Sequence, residues 1–131
     1  MDELSAEYVK RAGRYGTVEL GEYPNEEALL KSLERVGRTA PVLAALDSRG
    51  KQMSSEELAE FVRTHMERGS QELIFAIGPA DGWTAAALAR AQCTLSLGRI
   101  TLPHELARVV MAEQIYRAFT ILNNHPYHGG H

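Results

Sequence analysis

The sequence predicts one α/β domain, and three observations predict it. Two uninterrupted apolar runs, residues 41–46 and 73–77, have the length and composition of strands buried on both faces. Stretches with helical spacing separate them, the alternation that builds a parallel sheet with helical crossovers. The chain has 131 residues, 44% of them hydrophobic, which suits a single core.

Each element follows from local signals. Leu4, Tyr8, Val9 and Ala12 recur at helical spacing and stop at Gly13 and Gly16, so residues 3–14 read as a helix. Residues 17–20 read as a short strand. Asn25 is suited to cap a helix running to Val36, with Glu26 and Glu27 favouring the positive end of its dipole. The apolar run 41–46 follows, bounded by the turn residues Asp47 and Gly50. Ser54 or Ser55 then caps a helix through Glu67, and Ser54 with Glu57 fits a capping box. The second buried strand, 73–77, enters the small-residue loop Gly78-Pro79-Ala80-Asp81-Gly82. Residues 84–92 read as a short helix, 94–97 as a third buried strand, and 104–122 as a long helix. On that helix Leu106, Val109, Val110, Met111, Ala112, Ile115, Tyr116, Phe119 and Leu122 cover more than one face, which predicts packing on a partner and hence a homodimer.

Composition narrows the function classes. The net charge of −3 argues against holding nucleic acid by bulk electrostatics, so any such contact is local. Residues 1–72 sum to −4, whereas residues 73–131 sum to +1 and hold four of the five histidines, a pattern that favours handling of an anionic ligand there. A lone cysteine, Cys93, forms no internal disulfide and no thiolate-rich zinc site. No apolar run is long enough to cross a bilayer, and the start Met1-Asp2-Glu3-Leu4 lacks the features of a secretory leader, so a cytoplasmic protein is expected.

Candidate chemical segments each have an ordinary alternative. The loop at Gly78 is either a plain turn or a ligand loop at a strand end, and it matches neither GxGxxG nor a P-loop. Asp47-Ser48-Arg49-Gly50-Lys51 is either a solvated turn or a phosphate contact. The tail residues His125, His128 and His131 have imidazoles but no acidic or thiol companion, so no metal site is expected. His65 reads as structural or solvated, and neither Cys93 nor any serine has a partner motif for nucleophilic catalysis.

Three strings then carry a resemblance. Leu97-Gly98-Arg99-Ile100-Thr101-Leu102-Pro103-His104-Glu105-Leu106-Ala107-Arg108-Val109-Val110, Ala112-Glu113-Gln114-Ile115-Tyr116-Arg117-Ala118 and Asn124-His125-Pro126-Tyr127-His128 resemble the C-terminal part of the RlmH-type methyltransferases of the SPOUT superfamily. Leu46-Asp47-Ser48-Arg49-Gly50-Lys51 resembles that family's LD-x-x-G-K segment. The resemblance implies a SPOUT-like α/β knot domain spanning residues 1–131, with a mainly parallel sheet and a C-terminal trefoil knot, lacking the family's first strand. It implies methylation of N3 of a pseudouridine in 23S ribosomal RNA, with S-adenosylmethionine as cofactor and the large-subunit RNA or assembled ribosome as partner. It places the cofactor at Leu46, at Gly78 and Pro79, and at Leu97, Gly98, Arg99, Ile100, Thr101, Leu102 and Pro103. Arg117, Tyr127 and His128 match the residues near the target nucleotide, with His128 as the candidate base.

This chain departs from the family's pattern at two site positions. Pro79 stands where the family's loop has a glycine, which removes an N–H. Gly129 stands where a basic residue commonly follows the tail's Tyr-His. The alternative function is a noncatalytic ribosome-binding or assembly protein on the same fold.

Overall fold

A computed structural model describes residues 2–34, 41–69, 72–79, 81–124 and 127. Among these the elements run α1 (Asp2–Ala12), α2 (Glu26–Ser32), β1 (Val42–Gln52), α3 (Ser55–Glu67), β2 (Leu73–Ile77), α4 (Ala85–Arg90), β3 (Cys93–Ser96) and α5 (His104–Leu122). The expected α/β class holds, and the sheet is parallel throughout with strand order β2-β1-β3.

The caps follow the sequence signals. Asn25 accepts from the Ala28 amide at 2.8 Å. Ser54 and Glu57 exchange two bonds of 3.0 Å, satisfying two amides that a helix start leaves without partners. Residues 17–20 form no strand, a correction to the expectation. Only Val18 of the four is even half-buried, and no described strand offers this segment a ladder, without which an extended segment of this length gains nothing.

The chain divides into two compact units. One contains the sheet, α2 and α4. Its core joins Leu29 and Leu33, Leu43 and Ala45 of β1, Ala76 of β2, Trp83, and Ala87 of α4. Leu43, Ala44 and Ala45 are all buried, so both faces of the central strand are covered, as its continuous apolar run predicts.

The other unit contains α1, most of α3, and α5. Helices α1 and α5 pack through aromatic pairs: Tyr8 lies 6.2 Å from Tyr116 and Tyr15 6.0 Å from Phe119, centroid to centroid. Ser55 at the start of α3 donates to Gln114 of α5 at 2.7 Å. Val109, Met111, Ala112, Tyr116 and Phe119 of α5 are buried within the chain itself. The apolar positions of α5 left half-buried are Leu106, Val110, Ile115, Ile121 and Leu122.

Candidate functional site

Two groups of residues carry the candidate chemistry, one in each unit. In the sheet unit, the last paired residue of β1 against β2 is Leu46, opposite Ile77, and Leu46 also lies opposite Leu95 of β3. Because all three strands run the same way, Leu46, where the β1–β2 pairing ends within β1, lies toward the same end of the sheet as the ends of β2 and β3. The loops that start at Gly78 and Leu97 leave the sheet at that end, where open parallel sheets place their ligands.

The first two loops are tied by a residue that sequence reasoning missed. Trp83 is buried, and its indole Nε1 donates to the Leu46 carbonyl at 2.9 Å. A Cβ added to Gly78 would sit 2.7 Å from that ring, so the small residue at 78 is required by the indole lying on it. The only signal in the sequence was a single tryptophan next to a small-residue loop. Pro79 is exposed, and its carbonyl accepts from the Gly82 amide at 2.9 Å, closing the turn that returns the chain to Trp83.

Past β3, the buried Ser96 hydroxyl accepts from the Gly98 amide at 3.0 Å and lies within 3.2 Å of the Ser48 carbonyl. Gly98 has φ +129°, a conformation that side chains strongly disfavour, and the space where its Cβ would be is open. Leu97 and Ile100 are exposed, Ile100 to 80%. Arg99, Thr101 and Pro103 are exposed as well, and Leu102 is half-buried. The loop past β3 thus offers backbone and apolar side chains together with the exposed Arg99, a set suited to a flat, largely apolar ligand.

The segment after Leu46 is a strand irregularity. Lys51 and Gln52 pair with β3 again, after residues 47–50 leave the ladder. Asp47 folds this excursion by accepting from the Arg49 backbone N–H at 2.8 Å and from its Nε and Nη2 at 3.1 Å. These bonds hold the Asp47 carboxyl below its ordinary pKa. A Cβ on Gly50 would come 2.7 Å from the Thr94 backbone. The Asp and Gly of the LD-x-x-G-K segment therefore have architectural duties, and the Arg49 guanidinium is directed to Asp47.

In the helical unit, Glu113 is the centre of a polar cluster on α5. Its carboxylate accepts from Arg117 Nε at 3.0 Å, from Gln114 Nε2 at 2.7 Å and from the Tyr127 hydroxyl at 2.9 Å. The Arg117 guanidinium also lies 5.0 Å from the Tyr127 ring centroid, and Tyr116 packs against Tyr127 at 4.7 Å. Both Arg117 and Glu113 have side chains less than one-fifth exposed. Burial, followed by the Glu113 hydrogen bond, pushes the Tyr127 phenol well above its ordinary pKa. Arg117 and Tyr127, singled out from the sequence, are brought together, and Glu113, which was not, joins them. Its signal was the i, i+4 spacing to Arg117. His128, like the tail histidines 125 and 131, lies outside the described residues.

Burial raises the Cys93 thiol above its ordinary pKa, so it stays a protonated, weak nucleophile near neutrality. Among the described residues, no three metal-ligating side chains cluster. Among the described residues, no helix is long and apolar enough to cross a membrane.

With this geometry in view, comparison with known proteins adds a family. Residues 1–128 match the family described as Predicted SPOUT methyltransferase. A protein of Koribacter versatilis named Ribosomal RNA large subunit methyltransferase H is 59% identical over 128 residues, covering 98% of this chain and 88% of the relative. Relatives of the same name from Geotalea daltonii and Chromobacterium violaceum are 43% and 41% identical, covering 93% and 98% of this chain and 86% and 89% of their own length.

Proposed function

The chain belongs to the SPOUT methyltransferase family, and we propose that it is a cytoplasmic, homodimeric enzyme that methylates N3 of a pseudouridine in 23S ribosomal RNA with S-adenosylmethionine as donor. The observation that supports this reading most is the parallel register, which sets Leu46, the last β1 residue paired with β2, beside Ile77 at the end of β2 and beside Leu95 next to the end of β3. That end of the sheet fits the group: adenine is flat and apolar on its faces, as are the surroundings offered by Leu46, Leu97 and Ile100.

When bound, S-adenosylmethionine supplies a methyl group already activated by its sulfonium. The protein's share is to orient the acceptor nitrogen and handle its proton. Arg117, which the family resemblance sets near the target nucleotide and which Glu113 holds, would supply a fixed cation to the uracil ring as N3 loses its proton. Tyr127, whose hydroxyl donates to Glu113, offers its ring as a stacking surface, and the family resemblance makes His128 the candidate proton acceptor. Leu106, Val110, Ile115 and Ile121 provide the apolar surface of α5 for a second copy, and sedimentation at micromolar concentration should show a dimer.

Calorimetric titration with S-adenosylhomocysteine tests the reading, followed by mass spectrometry of 23S ribosomal RNA incubated with enzyme and donor. A saturable heat and a methylated pseudouridine are expected. No heat at millimolar ligand would discard the catalytic reading in favour of a noncatalytic ribosome-binding protein.

A further inference from the structure

We propose that Trp83 is a positioning residue for the donor site, bracing two of its three loops before the donor arrives. The proposal rests on the reading of those loops given above, and it concerns a residue that touches them from the core side. Two contacts of Trp83 define the brace, and a neighbouring anchor supports it. The indole N–H is bonded to the Leu46 carbonyl at 2.9 Å, at the last β1–β2 pair. The ring lies so close to Gly78 that a Cβ there would approach it to 2.7 Å. The next residue, Thr84, is held separately: its amide and hydroxyl both donate to the Glu26 carboxylate, and its hydroxyl caps α4 through the Ala87 amide at 3.2 Å.

The loop leaving β2 is therefore pinned at both ends of its return, at residue 78 by ring contact and at residue 84 by hydrogen bonds. Leu46, on the neighbouring strand, is bound into the same assembly by the indole. A loop ordered in advance loses less entropy when a ligand settles on it, so the brace contributes affinity without touching the ligand. Packing alone would be served by leucine or phenylalanine. Neither supplies an N–H to the Leu46 carbonyl, which the indole does while covering Gly78.

The brace also carries its own probe, since Trp83 is the chain's one tryptophan. In the wild-type protein, its emission should change on titration with S-adenosylhomocysteine and saturate with the calorimetric Kd. Trp83→Phe keeps most of the ring and removes the N–H, and its Kd should rise about 3- to 10-fold, as expected for one lost hydrogen bond. Gly78→Ala should weaken binding by more than about 10-fold through overpacking. Adding Trp83→Phe to Gly78→Ala should bring the Kd back toward the Trp83→Phe value, a coupling that independent sites do not show.

Emission that stays flat through a titration shown by calorimetry to saturate would overturn the brace. So would a folded Trp83→Phe that binds as tightly as wild type. If that variant does not fold, the wild-type emission decides alone. Absence of heat from the wild-type protein would instead remove the donor-site reading, and the brace with it.

Discussion

The strand-end loops and the α5 cluster position their atoms by opposite means. At the sheet edge, backbone and steric limits dominate: Gly78 lies under an indole, Gly50 lies against the Thr94 backbone, and Gly98 takes a positive φ. On α5, charged and polar side chains do the positioning, with one carboxylate accepting from Arg117, Gln114 and Tyr127. A site of the first kind is sensitive to added volume and tolerant of changes in charge. One of the second kind responds to loss of a single polar atom, because its partners are left partly buried without a bond.

The largest expected effect breaks the two regions apart functionally. Arg117→Ala should reduce methyl transfer about 100-fold or more, the scale for removing a charge-stabilising group, while the Kd for S-adenosylhomocysteine stays within about twofold. Single-turnover transfer and calorimetry on the same variant measure both. Loss of donor binding in parallel would mean that the helix cluster belongs to donor binding.

A smaller effect sharpens the account of the cluster. Glu113→Gln keeps the shape but removes the charge, and about a 10-fold loss of rate is expected as Arg117 loses its ion pair. Since the Tyr127 phenol is held protonated, Tyr127→Phe should lower the rate without moving the alkaline limb of the pH–rate profile below about pH 10. A shifted limb in that variant would make Tyr127 the titrating group and displace His128 from the role of base.

The smallest effect lies beside the sheet edge. The Asp47 carboxyl titrates lower in the folded chain than in the unfolded one, so its stabilisation is fully present above about pH 4 and fades as pH falls through the depressed value. Asp47→Asn should therefore cost about 1 kcal/mol at pH 7 and less at pH 3, as denaturant midpoints at the two pH values would show. An equal cost at both would mean that the carboxylate charge contributes nothing to the excursion at residues 47–50.

The order and type of most elements were legible because they are written in short-range terms. Asn25 and the Ser54–Glu57 pair satisfy amides of their own helix, so neither depends on distant residues. The apolar runs at 42–46 and 73–77 require burial wherever the chain goes. Arg117 and Tyr127 were singled out by family resemblance, and the fold brings the two side chains together. What the tertiary structure decided are the pairings across long separations: Trp83 with Leu46, Thr84 with Glu26, Gln114 with Ser55. It also decided against a strand at residues 17–20, whose local pattern was adequate but which no described strand pairs. The physical reason is the same in each case: a strand, or a buried N–H, is stable only if a partner is delivered to it, and local sequence specifies the need while the fold supplies the partner.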